Sequence, residues 1–126
     1  MAQAFIEHVN VSVSDVDKTA QMLMDLFGWR IRWRGEAAMG GNTIHVGADN
    51  SYVAVYESKD TNRQPKGFSK SAPLNHIGVQ VDDLDATEAK VKALGLKTFG
   101  HGDYEPGRRF YFFDRDGIEF EVVSYA

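Results

Sequence analysis

Two tandem βαβββ modules, an α+β fold whose curved mixed sheets surround a cup-shaped site, are what this sequence predicts, on three observations. The segment from Phe5 to Asp17 aligns without a gap with the segment from Pro73 to Asp85, which marks an internal repeat. Each copy opens with strand-like alternation and continues with helical spacing of its apolar residues. A polar stretch from Ser58 to Ala72, carrying Pro65 and Gly67 and followed by Pro73, separates the copies. The chain therefore reads as a single domain over residues 1–126, with module one at 1–57, a linker at 58–73 and module two at 74–126.

In the first strand Val9, Val11 and Val13 point one way and His8, Asn10 and Ser12 the other, as a half-buried strand requires. Ile77, Val79 and Val81 against His76, Gly78 and Gln80 repeat that register, so both histidines stand on the polar face. With a helix covering the apolar side, the polar face is the one that lines a cup. Asp15 or Asp17 caps a first helix in which Val16, Ala20, Leu23 and Phe27 recur every three or four residues, and Gly28 suits the left-handed position past its end. The second copy offers Asp83 or Asp85, then Leu84, Val91 and Leu94, then Gly95. Further strands are expected at Trp29 to Arg34, Thr43 to Val46 and Tyr52 to Glu57, then at Lys97 to Phe99, Arg109 to Phe113 and Ile118 to Ser124. Asp114-Arg115-Asp116-Gly117 reads as a tight turn.

Composition narrows the function classes. A chain of 126 residues with 43% hydrophobic content has apolar surface enough for a core. The net charge of −4, with acids and bases interspersed, supplies no basic stripe for a phosphate backbone, so no nucleic-acid partner is expected. No apolar run approaches the roughly 20 residues that span a bilayer, and the start of the chain lacks a basic flank and apolar core, so no membrane partner and a cytoplasmic location are expected. With no cysteine, a metal here must sit on histidine and carboxylate.

Imidazole and carboxylate donors together suit zinc, nickel, iron and manganese. His8 and His76, partners in the repeat, supply two donors. Glu57 ends the last strand of the first copy and Glu121 lies in the last strand of the second, so the carboxylates are expected to hold matching places. Glu119 shares a strand face with Glu121, and alternation alone does not separate the two.

These residues carry a resemblance to the vicinal oxygen chelate superfamily, and within it to bacterial glyoxalase I-like proteins. The run Asp114-Arg115-Asp116-Gly117-Ile118-Glu119-Phe120-Glu121 is similar to the family's Asp-x-Asp-Gly-x-x-x-Glu ending, with Arg115 where the family often has Pro. That spacing selects Glu121. The resemblance implies one divalent ion (Ni, Zn, Fe, Mn or Co) held by His8, Glu57, His76 and Glu121, with open positions for the vicinal oxygens of a small-molecule substrate. It further implies lactoylglutathione lyase-like chemistry, in which the metal stabilises an enediolate-type anion and Glu121 or Glu57 acts as base. Four protein ligands favour glyoxalase or epimerase chemistry within the superfamily, whereas its ring-cleaving dioxygenases resemble a three-ligand His-His-Glu site. The alternative is a metal-free ligand-sequestering protein of the bleomycin-resistance type. In family members like bacterial glyoxalase I paired modules come from two subunits, which implies a homodimer.

Four further groups are weighed beside these. His45 alternates with Ile44 and Val46 and is a candidate substrate contact, while His101 is read as part of a Gly-rich loop. Tyr104, Arg108 and Arg109 around a Pro-Gly turn are read as solvated loop residues. Trp29 and Trp33, four apart on an expected strand, are read as packing or dimer contacts on one face.

Overall fold

A computed structural model of the chain describes residues 3–37, 40–59, 73–104 and 107–126. The chain divides into two compact units, residues 1–65 and 66–126, and each is described by itself. Residues 60–72 of the expected linker lie outside the described residues.

Unit one contains β1 (His8–Ser12), α1 (Val16–Phe27), β2 (Arg30–Glu36), β3 (Asn42–Gly47) and β4 (Tyr52–Glu57), the expected βαβββ order. Its sheet runs β1-β4-β3-β2, with β1 parallel to β4 and the other neighbours antiparallel. The helix forms because Asp15 accepts from Lys18 N at its start and Gly28, at φ 69°, closes its end with a hydrogen bond to Met24 O. Val16, Ala20, Leu23 and Leu26 bury one stripe of α1 against a sheet face of Ile44, Val46, Val53 and Val55, all at most 4% exposed. No atom within 4 Å would meet a Cβ on Gly28, so a Gly28→Ala protein tests backbone strain alone. Its unfolding midpoint in urea should correspond to a loss of about 1 kcal/mol, the cost of left-handed backbone with a side chain.

Unit two repeats the plan with β5 (Ile77–Gln80), α2 (Leu84–Ala93), β6 (Thr98–Tyr104), β7 (Gly107–Phe113) and β8 (Glu119–Ser124), ordered β5-β8-β7-β6. Asp83 caps α2 by accepting from Ala86 N. The covered face carries Phe110, Phe112, Phe120 and Val122, and Phe112 stacks on Phe120 with centroids 5.2 Å apart. Leu94 falls at the end of α2 and is 46% exposed, outside the apolar stripe predicted for it. The turn before β8 is built by Asp114, whose Oδ1 accepts from Asp116 N and Ile118 N, while Gly117 at φ 83° donates to Asp114 O.

Two irregularities revise the strand readings. A bulge between Ile31 and Trp33 breaks the alternation of β2, and Trp29 precedes that strand and packs on Phe27, so the two tryptophans share no strand face. A second bulge between Phe99 and Gly102 lies within β6, which places His101 in a strand instead of a loop. Among the described residues no helix is long and apolar enough to cross a membrane.

Candidate functional site

Strand register decides which side chains share a face. In unit one His8 pairs with Tyr52 and Asn10 with Ala54, and in unit two Gly78 pairs with Glu121. His8 and His76 occupy the same place in the repeat, as do Asn10 and Gly78. Ala54 is therefore the counterpart of Glu121, Tyr52 that of Glu119, and Glu57 that of Ser124.

This corrects the matched-place reading of Glu57. Counting along β4, Glu57 shares the parity of Val53 and Val55 and so stands on the helix-covered face, opposite to the face of Tyr52 and His8. Its Oε1 accepts from Val16 N at 3.0 Å, satisfying one of the otherwise unpaired amides in the first turn of α1, where a negative charge also meets the positive end of the helix. Asp15 takes Lys18 N in the same turn, so two carboxylates share the capping of α1.

The open face of unit one is aromatic. His8 stacks on Tyr52 with centroids 4.8 Å apart, Tyr52 on His45 at 4.6 Å, and His45 meets Trp33 at 5.0 Å, giving a row of rings that crosses β1, β4, β3 and β2. The Arg32 guanidinium carbon lies 4.6 Å from the Tyr52 centroid, a cation–π contact. Burial first, then the charges of His8 and Arg32, hold the His45 imidazole below its ordinary pKa, against a smaller upward pull from Glu7. His45 thus joins the His8 face as read from its alternation.

The open face of unit two is polar and charged. Glu121 Oε1 lies 3.0 Å from His76 Nε2, and Glu121 Oε2 accepts from Arg109 at 2.9 Å. The Arg109 and Glu121 side chains are 15% and 13% exposed, so this ion pair is held well out of solvent. Glu119, 1% exposed, stands on the same face with Oε2 at 3.8 Å from His76 Nδ1. Tyr111 pairs with Glu121 across β7 and β8 and meets the His76 ring edge-on at 5.8 Å. Arg109, read from sequence as a solvated loop charge, is a strand residue bound to a candidate ligand. Its alternation with Phe110 and Phe112, both fully buried, was the signal that could have placed it on the Glu121 face. Arg108, by contrast, pairs with exposed Asp85 at the surface. His101 Nε2 contacts Glu88 Oε2 at 2.6 Å, tying β6 to α2, away from His76 and Glu121 in role.

The donor chemistry fits a hard or borderline divalent ion at His76 and Glu121, whose imidazole nitrogen and carboxylate oxygen already approach each other, and His8 offers the same type of donor on the open face of its own unit. Glu57 does not fit, because its carboxylate is turned to the helix. Among the described residues no group of three or more His, Asp or Glu side chains is gathered as a ligand set.

A repeated βαβββ fold with a histidine at the head of each copy and a carboxylate on the final strand defines the vicinal oxygen chelate class of protein. Residues 5–122 match the model of the Glyoxalase/Bleomycin resistance protein/Dioxygenase superfamily, and the chain belongs to that superfamily. Among solved structures it is similar to a glyoxylase/bleomycin resistance protein/dioxygenase domain from Frankia sp. EAN1pec, with 20% identity, TM-score 0.82, and coverage of 98% of this chain and 93% of that one. The fosfomycin resistance protein FosX from Listeria monocytogenes, in a complex with Mn(II) and sulfate, matches at 20% identity, TM-score 0.71, and 98% and 93% coverage. TnmS3, an antibiotic-binding protein from Streptomyces sp. CB03234, matches at 19% identity, TM-score 0.72, and 100% and 99% coverage.

Proposed function

We propose that the chain is a metal-dependent enzyme of this superfamily, acting on a small substrate with vicinal oxygens, with His8, His76 and Glu121 as its protein ligands. The observation that carries the reading is the 3.0 Å approach of His76 Nε2 to Glu121 Oε1 on the open face of unit two. Manganese in FosX supports it as chemistry available to this fold. The ion, when bound, supplies Lewis-acid polarisation of substrate oxygens. The chain's own contributions are separate: Arg109 holds Glu121 Oε2, Oε1 faces His76 Nε2 and is the oxygen placed to exchange a proton, and Glu57 takes no part as base.

Three protein donors in place of four move the reading away from the glyoxalase I-type ligand set and toward superfamily chemistry with more open metal positions. Ala54, which holds the place in unit one that Glu121 holds in unit two, has no donor atom in its side chain. Metal analysis after dialysis, followed by assay with methylglyoxal and glutathione, tests both halves: stoichiometric divalent metal without glyoxalase turnover is the expected result, and metal-free protein would sink the enzyme reading.

The competing reading is metal-free ligand sequestration, favoured by the ring row of unit one. TnmS3 binds an antibiotic on the same fold. Ligand binding that survives removal of all metal would establish it. A homodimer belongs to either reading and is supported by apolar residues left exposed beside the first strand of each unit, Phe5 at 74%, Ile6 at 81% and Leu74 at 37%. Sedimentation should find a dimer at micromolar concentration, with an interface above roughly 2,000 Å²; a monomer there would refute it.

A further inference from the structure

In each unit the residue immediately before the histidine at the head of the first strand offers an oxygen to that histidine's Nδ1. Glu7 Oε1 lies 3.0 Å from His8 Nδ1, and Asn75 Oδ1 lies 2.7 Å from His76 Nδ1. Contact between adjacent side chains is not the default in a strand, where successive residues point to opposite faces. Glu7 stands just before β1, and Asn75 and His76 both stand just before β5.

An ionised carboxylate only accepts hydrogen bonds, so the hydrogen between Glu7 and His8 sits on Nδ1, and the neutral ring then carries its lone pair on Nε2. For His76 oxygens face both nitrogens, Asn75 Oδ1 at 2.7 Å from Nδ1 and Glu121 Oε1 at 3.0 Å from Nε2, so these contacts fix how the ring is turned and not which nitrogen carries its hydrogen. Tyr52 fixes the plane of the His8 ring by a near-parallel stack, with 11° between planes. Stacking sets where the ring lies, but not which nitrogen is free.

We propose that Glu7 and Asn75 are positioning residues, Glu7 holding His8 with Nε2 as the donor nitrogen and Asn75 holding the orientation of the His76 ring. The consequence for metal rests on the ligand set proposed above, whereas the tautomer assignment for His8 stands without it. A histidine whose second nitrogen is bound by an oxygen is the arrangement that orients imidazole ligands and raises their basicity.

The test is side-chain nitrogen NMR on metal-free protein at about pH 9, above the ordinary histidine range, together with Zn(II) titration calorimetry. Wild-type His8 should be found in the Nδ1–H form. Glu7→Ala should shift it toward Nε2–H and weaken Zn(II) binding by about tenfold, the low end for such partners because Glu7 is exposed, and Glu7→Gln should restore both. Asn75→Ala should weaken Zn(II) binding by a similar factor of about ten. A wild-type His8 in the Nε2–H form, or a Glu7→Ala protein with an unchanged tautomer, overturns the assignment for Glu7, and unchanged Zn(II) affinity in Asn75→Ala overturns it for Asn75. Failure of the wild-type protein to bind Zn(II), with the His8 tautomer as expected, refutes the ligand set and upholds Glu7 as the group that fixes the ring.

Discussion

Glu121→Gln should lose more than about 100-fold in divalent-metal affinity, while Glu57→Ala keeps wild-type affinity and loses stability instead. The two carboxylates lie on corresponding strands, yet they do different work. Glu121 faces His76 with one oxygen and Arg109 with the other. Gln is the informative replacement, because its amide oxygen still accepts from Arg109 and does not strand a cation that is only 15% exposed. Glu57 instead accepts from Val16 N at the start of α1, and its removal should cost about 1–2 kcal/mol, in the range for losing a helix cap. Calorimetric titration with Zn(II) and urea unfolding of both variants measure the two effects. Equal loss of metal in both would restore Glu57 to the ligand set, and unaltered metal binding in Glu121→Gln would remove Glu121 from it.

What was legible in sequence is what local pattern determines. Asp15, Asp83, Gly28 and the alternation around His8 and His76 act within a few residues of themselves, and each stands where the pattern put it. The role of Glu57 was not local. It depends on how far β4 is displaced along β1, and since side chains alternate with a period of two, an odd offset of three from Ala54 turns the carboxylate from the open face to the helix. The near-equal spacing of the glutamates and the histidines hid that offset. Bulges act in the same way at Trp33 and His101: one inserted residue reverses the parity that alternation would assign. Arg109 was lost because its partner lies across the β7–β8 hairpin, so its charge looked unpaired in a reading made one segment at a time.

The protein should become less stable as pH rises from about 4 to about 6, by a contribution that Asp114→Asn removes. Asp114 is 5% exposed; its Oδ1 is used by Asp116 N and Ile118 N, and its Oδ2 is buried with no hydrogen-bond partner among the described residues. Burial pushes its carboxyl from 3.8 up to about 6, against the downward pull of the backbone amides and with a smaller upward contribution from Asp116. Between those two values the folded chain holds a proton that the unfolded chain has released, so unfolding free energy falls with rising pH; the contribution is full below the unfolded value and gone above the folded one. The two ends of that window bound the loss at about 3 kcal/mol. Asn keeps the acceptor that builds the turn and has no proton to lose, so the difference in unfolding free energy between the two proteins should change by about 1–3 kcal/mol across the window, with the variant gaining on the wild type as pH rises. Urea unfolding of both proteins at a series of pH values reads this difference while cancelling every group they share. A difference that stays constant from pH 4 to 7 would mean that Asp114 is already ionised throughout, held by its amides in spite of its burial.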